Sequence, residues 1–439
     1  MREFLRQKMI DGLNTPPQQL TRRSAQPPHV PRKAIAVIGM RRSGKTSYLW
    51  QCLADRLAAG SPRESLLMLG LEDDRLEGIQ ASDLAWLTEE YFSLYPDFRD
   101  QRIVTFFLDE IQTVPGWEVF VRRLIDTEKM DLFLSGSSAK LLSREVATSM
   151  RGRALEVVIY PFSLREVLRH IGAEPTKPWD RLPKAARSKL DNQLRHYLVE
   201  GGFPEAQGIA VRDRMALLSG YVDVVVLRDI IERHAISNPL ALRWMQRQLL
   251  GNPAGMFSVQ KYHDALKSQG VPVGKDSLHA YLAHFEDAFL IRTVSLHTAS
   301  ERQRMVHPRK AYPIDPALIQ LYERTGRSNI GHALETIVLI ELQRRGYEVG
   351  YVLTREGWEV DFLAIGITQP SLLIQVCADV SDASTWEREM RALVSAAADH
   401  PDAIPLLITL DTTPPKLVIP TPARWMPAVQ WLLDEVNSL

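Results

Sequence analysis

A chain of 439 residues is too long for one ordinary hydrophobic core and implies several domains. Its 45% hydrophobic and 24% charged residues exclude a largely disordered protein, and no apolar run approaches the roughly 20 residues of a membrane span. Basic and acidic residues both total 53, which excludes a global positive field for holding nucleic acid, so any such contact must be local.

The two cysteines, Cys52 and Cys377, lie in apolar surroundings and predict a reducing, cytoplasmic setting without a disulfide framework. Residues 1–33 carry seven basic against two acidic residues with no signal-peptide core, and read as a solvated basic arm.

In chain order, KAIAVIGM (33–40) predicts a strand, and the segment from Gly44 to about Ala59 a helix. Further buried strands are expected at SLLMLGL (65–71), IVTFFLD (103–109), MDLFLS (130–135) and ALEVVIY (154–160). Helical stretches lie between most of them. Such alternation predicts an α/β fold with a mostly parallel sheet covered on both faces.

From Pro161 to about Ala235 the pattern becomes helical. Residues 257–296 then give helix, turn, helix and an apolar tail, the order of a winged helix. After Lys310 come a long helix (331–345), strands near 348–353, 358–365 and 371–377, a helix beginning at TWEREM, and a strand at 403–410. TTPPKLVIPTP is a proline-punctuated connector, and MPAVQWLLDEV a terminal helix.

Between the first strand and helix, GMRRSGKT satisfies G-x-x-x-x-G-K-[ST]. Residues Gly39, Met40, Arg41, Arg42, Ser43, Gly44, Lys45, Thr46 and Ser47 form the expected phosphate-binding loop for ATP. Lys45 is expected on the β and γ oxygens and the Thr46 hydroxyl on Mg²⁺, while Arg41 and Arg42 are positioned to lean on phosphate. The confirming partner is VTFFLDEIQ, where Asp109 follows Lys45 by 64 residues and Glu110 comes next. Asp109 is expected to support the metal, and Glu110 to polarise the attacking water. Ser135, at the tip of the next strand, is a candidate γ-phosphate sensor. Arg151 and Arg153 in MRGR are candidates to neutralise transition-state charge, within the chain or across a subunit interface.

These residues resemble a group of bacterial and archaeal AAA-like P-loop ATPases with a C-terminal domain related to restriction endonucleases. The matching stretches include GMRRSGKT, FFLDEIQTVPGWE, LSGSSAKLLS, YPFSLREVL, GGFPEA, VVVLRDIIER, KAYPIDPAL and LETIVLIELQRRGYEV, in the family's order. Pro316 stands where the family usually has glycine. The resemblance implies a P-loop NTPase core followed by a helical lid, a winged helix and a C-terminal α/β restriction-endonuclease-like domain. The expected boundaries are a basic arm at 1–33, the ATPase core at 34–165, the lid at 166–240, the winged helix at 241–305, the nuclease-like domain at 306–412, and a connector and helix at 413–439.

In the winged-helix segment, Leu278, Tyr281, Leu282, Phe285 and Phe289 repeat at helical spacing and predict the core side. Lys275, Ser277, His279 and His284 are then expected on an outer face that fits a major groove, with Lys261, Lys267 and Arg292 near phosphate. DNA is thus a candidate partner, as are a protein partner and a second copy of the chain. Gly201 and Gly202 are expected to end the preceding helix, and Arg228 is a candidate to reach nucleotide from the lid.

A restriction-endonuclease-like site needs an acid on a helix, an aspartate at a strand end, and acid-x-lysine on the next strand. Glu335 and Asp361 fit the first two places. Gln375 and Cys377 occupy the last two, 14 and 16 residues beyond Asp361. A glutamine carbonyl is a weaker Mg²⁺ ligand than a carboxylate, and an apolar thiol does not replace an ammonium. No lysine occurs between Lys310 and Lys416, so none is expected near this site, and Arg355 or Arg388 would be poor substitutes. The sequence therefore predicts a Mg²⁺-dependent ATPase attached to a nuclease-derived fold that has lost cleavage. The alternatives are a nucleotide-gated regulatory module and an ATP-controlled nuclease.

Overall fold

The computed structural model describes residues 1–136, 152–323, 329–380, 382–415 and 418–434. The chain divides into two compact units, residues 1–160 with 287–289, and residues 161–286 with 290–439.

The first unit is built on five parallel strands: β1 (Ala34–Ile38), β2 (Leu66–Gly70), β3 (Val104–Asp109), β4 (Met130–Gly136) and β5 (Ala154–Val158). Their order is β2-β3-β4-β1-β5. β1 and β3 are buried along their whole length, which is why each reads as a continuous apolar run rather than an alternating one. The helix Lys45–Ala58 buries Tyr48, Leu49, Cys52 and Leu53 against Val37, Phe107 and Phe133 of the sheet. The strand order and the loop between β1 and this helix make the unit a P-loop NTPase α/β fold.

The basic segment at the start is not a solvated arm. Residues Arg2–Asn14 form a helix that packs on β2 and on the helix Ala81–Leu94. Leu5 and Met9 are fully buried and Leu13 nearly so, an i, i+4, i+8 stripe that its basic residues hid from a reading by charge. Gly12 lets the helix lie on β2, since a β-carbon there would fall 2.0 Å from the Met68 carbonyl oxygen.

The second unit begins with the helices Leu164–His170, Lys184–Glu200 and Val211–Val224. The last runs on as a π-helix, Val225–Glu232, which contains most of the LRDIIER stretch. Helices Pro239–Gly251, Val259–Ser268 and Lys275–Asp287 follow, with a three-stranded antiparallel sheet of β6 (Met256–Phe257), β7 (Ile291–Val294) and β8 (Arg309–Pro313) in the order β6-β8-β7.

The unit ends in a five-stranded sheet ordered β13-β12-β11-β10-β9. Its strands are β9 (Glu348–Leu353), β10 (Glu359–Ile365), β11 (Ser371–Cys377), β12 (Ala403–Thr409) and β13 (Arg424–Pro427). β9, β10 and β11 are antiparallel neighbours, whereas β12 and β13 add in parallel. The helices Ile330–Arg344 and Ala383–Asp399 cover it. β13 was not legible in the sequence, because a four-residue edge strand beside a proline-rich connector carries almost no periodic signal.

Four of the quoted stretches meet in this unit. Asp315, fully buried, accepts hydrogen bonds from the backbone N–H groups of Gly202 and Ala317. Gly202 in turn faces Phe162, whose carbonyl accepts from the Tyr197 hydroxyl at 2.8 Å. Arg344 donates to the Pro161 carbonyl at 3.1 Å.

Candidate functional site

The loop between β1 and the helix Lys45–Ala58 is shaped by backbone constraints. Gly39 has φ 150°, and a β-carbon there would meet the Ile159 carbonyl oxygen at 2.3 Å, so only glycine fits where the loop crosses β5's end. Lys45 is nearly buried, and its ammonium donates to the carbonyls of Gly39 and Met40, each at 3.1 Å. Ser43 is fully buried, and its hydroxyl oxygen has no hydrogen-bond partner among the described residues. Arg41 pairs with Glu72 at 3.4 Å.

β4 inserts between β1 and β3 and brings Ser135 beside the acidic pair. The Thr46 hydroxyl donates to Asp109 Oδ2 at 2.8 Å. The Ser135 hydroxyl, fully buried, donates to Asp109 Oδ1 and accepts the Glu110 N–H at 3.0 Å. Glu110 occupies the left-handed region at φ 55°, ψ 46°, uncommon for a residue with a side chain, and its carboxylate accepts from Gln112 Nε2. The hydroxyl, the carboxylate, the loop ammonium and the orphaned Ser43 oxygen fit a triphosphate with Mg²⁺.

A residue that sequence reading missed supports this loop from outside. Arg23 is 4% exposed, and its guanidinium donates to the Ser43 carbonyl at 2.8 Å and to the Tyr160 carbonyl. Its own backbone is fixed by Gln51 through two hydrogen bonds. No local pattern marks an arginine in a proline-rich segment as a buried one. Arg153 is paired with Asp126 at 3.0 Å, and Arg151 lies outside the described residues.

Leu278, Tyr281, Leu282, Phe285 and Phe289 are all buried, while Lys275, Ser277, His279, Lys261 and Lys267 are exposed. His284 does not join the outer face: it stacks on His234 with ring centroids 3.7 Å apart. Arg228 is exposed on the π-helix.

Glu335 and Asp361 come together, but not as the sequence led us to expect. The expectation that no lysine stands near them fails. Lys310, on β8, donates to Glu335 Oε1 and Asp361 Oδ1, each at 3.0 Å, and pairs with Glu359 Oε1 at 2.8 Å. The lysine lies 25 residues before Glu335 and 51 before Asp361, and antiparallel pairing of β8 with β7 carries it in from a separate sheet. Burial alone would lower the Lys310 pKa, but the charges of Asp361, Glu335 and Glu359 outweigh it and hold the ammonium well above its ordinary range.

Tyr312, two residues on, donates to Glu335 Oε1 at 2.7 Å, and the Val376 N–H donates to Asp361 Oδ2 at 3.0 Å. Burial, and then the Asp361 charge, push Glu335 up to about 7. Gln375 Nε2 donates to Glu389 at 2.5 Å. Cys377 makes its hydrogen bond to the Asp379 carbonyl, and burial pushes its thiol up to about 11, so it remains uncharged. Arg355 pairs with Asp399 and Arg388 with Glu389.

Residues 31–168 match the family model described as AAA domain, and residues 191–327 match the Domain of unknown function (DUF8612). Among solved structures, the Walker-type ATPase PABY2304 of Pyrococcus abyssi is 16% identical with a TM-score of 0.42, covering 73% of this chain and 95% of that one. The ORC2 protein of Aeropyrum pernix is 13% identical with a TM-score of 0.35, covering 73% and 90%. A Haemophilus influenzae uncharacterized protein is 30% identical over 329 residues, 75% of this chain and 78% of the relative. The uncharacterized protein MJ1544 of Methanocaldococcus jannaschii is 32% identical over 374 residues, 84% of this chain and 80% of the relative. With an AAA-type P-loop ATPase domain at its N-terminal end and identity spread over most of both chains, this chain belongs to the family of MJ1544.

Proposed function

We propose that this protein is a Mg²⁺-dependent ATPase that uses ATP binding and hydrolysis to switch a winged helix and a nuclease-like module that does not cleave. The observation that carries the reading is the convergence of Thr46, Asp109 and Ser135, with the hydroxyl of Thr46 2.8 Å from the Asp109 carboxylate. In this reading the loop amides and Lys45 bind the phosphates, and Thr46 and Asp109 hold the metal. Ser135 fixes the acidic pair by joining Asp109 to the Glu110 backbone, and the strained Glu110 orients water. Bound ATP supplies the phosphoryl group for transfer to that water.

The domain division at 34–165, 166–240, 241–305 and 306–412 belongs to the same proposal. Lys275, Ser277 and His279 form the face offered to DNA, supported by their exposure opposite a buried helix side.

The test is phosphate release from ATP by wild-type and Glu110→Gln protein, with and without duplex DNA, at a stated low salt concentration. Turnover that falls by about 100-fold in the variant, within the range for loss of a general base, supports the ATPase. Turnover unchanged in Glu110→Gln would sink it. DNA stimulation that disappears when Lys275 and His279 are replaced by alanine supports the DNA contact, and indifference to DNA moves the switch to a protein partner.

A further inference from the structure

Lys310 stands at the centre of an acidic cluster. Three carboxylates, those of Glu335, Glu359 and Asp361, each put an oxygen within 3.0 Å of one ammonium, which offers three protons. The Lys310 side chain is 4% exposed and those of Glu335 and Asp361 about a tenth, while Glu359, 37% exposed, forms the solvent-facing side of the cluster. The restriction-endonuclease resemblance would put a divalent metal on Glu335 and Asp361. Among the described residues, no group of three or more His, Cys, Asp or Glu side chains is arranged to hold a metal ion. The oxygens that would face such a metal converge on nitrogen instead, and Asp361 Oδ2 is already bound by the Val376 N–H.

We propose that Lys310 is the resident cation of this cluster: its ammonium takes the place of a divalent metal, closes the site to metal, and staples β8 to the helix Ile330–Arg344 and to β10. The inference rests on the positions of these four side chains and stands whether or not the fold is nuclease-derived.

Several observations bear on it. Tyr312, from the same strand, bonds the same Glu335 oxygen, so β8 contributes two adjacent inward side chains to one joint. The joint bridges 25 residues to Glu335 and 51 to Asp361, and so ties the three-stranded sheet to the five-stranded one within this unit. Three carboxylates face one ammonium, so the cluster carries more negative than positive charge. Gln375, placed where a carboxylate would raise that charge further, is consistent with a site that needs less cationic charge than a metal brings.

The probe is Mn²⁺, followed by electron paramagnetic resonance on nucleotide-free protein in a Thr46→Val background that removes the metal-binding hydroxyl of the P-loop. The expected result is no Mn²⁺ binding that depends on Asp361 when Lys310 is present. Lys310→Met should bind about one Mn²⁺ per chain at least tenfold more tightly, and Lys310→Met/Asp361→Asn should lose it. Asp361-dependent Mn²⁺ binding in the presence of Lys310 would overturn the proposal, as would a folded Lys310→Met that gains none. If Lys310→Met does not fold, Lys310→Met/Glu335→Gln/Asp361→Asn decides: recovered folded yield supports a charge staple, and continued loss overturns it. Plasmid cleavage by wild-type protein that needs Mn²⁺ and Asp361 would also overturn it, independently of ATP turnover.

Discussion

The carboxylate of Asp315 accepts the backbone N–H of Gly202 at 2.7 Å, across 113 residues. Its other oxygen would lie 1.9 Å from a β-carbon on Gly201, which adopts φ 71°, ψ −167°, a conformation open essentially to glycine alone. The two glycines therefore do more than end a helix: they let a buried carboxylate approach the main chain. Gly201→Ala should cost about 3 kcal/mol or more, from strain and overlap together. Asp315→Asn, which retains one acceptor and presents an amide to an N–H, should cost about 1–3 kcal/mol. Urea unfolding midpoints check both, and a Gly201→Ala protein as stable as wild type would refute the packing account.

Arg23 fastens the P-loop backbone through the Ser43 carbonyl and the end of β5 through the Tyr160 carbonyl. Its replacement by alanine removes two charge-assisted hydrogen bonds from a buried site and should lower stability by about 2–4 kcal/mol. Nucleotide affinity should fall as well, by about tenfold. Fluorescent-ADP binding measured below the unfolding transition separates the two effects, and Arg23→Lys should recover little, because an ammonium lacks the fork that reaches both carbonyls.

The helix Arg2–Asn14 is part of the first unit's core. Leu5→Ala and Met9→Ala each empty a fully buried position, and each should cost about 2–5 kcal/mol. Removing residues 1–14 should leave a less stable protein with β2 uncovered, detectable as increased amide exchange in residues 66–70. A truncated chain with unchanged thermal midpoint would count against this role.

Glu335 sets a pH dependence. Burial and the Asp361 charge raise its carboxyl from 4.5 to about 7, so the folded state binds its proton more tightly than the unfolded state. Its contribution to stability is complete below the unfolded value and is lost as pH rises toward 7. Asp315, raised by burial to about 6, contributes with the same sign. Glu335→Gln should therefore flatten the fall in stability between about pH 5 and about pH 8, whatever constant offset the substitution adds. Chemical denaturation at both pH values checks this, and an unchanged slope would show that Glu335 does not titrate in that window.

The sequence by itself determined what depends on neighbours along the chain. The continuous apolar strands, the loop GMRRSGKT with its flanking strand and helix, and the Asp109–Glu110 pair at a strand end were all legible, because each is a short pattern with a short-range physical cause. The buried helix face at Leu278, Tyr281, Leu282 and Phe285 was legible for the same reason. Tertiary structure alone decided the partners that arrive from far away. Arg23 reaches Tyr160 across 137 residues, Asp315 reaches Gly202 across 113, and Lys310 reaches Asp361 across 51. A basic side chain in a polar stretch looks solvated until the fold sets carbonyls or carboxylates around it. No periodicity encodes that encounter, since the free energy of burying a charge depends on what surrounds it and not on what precedes it.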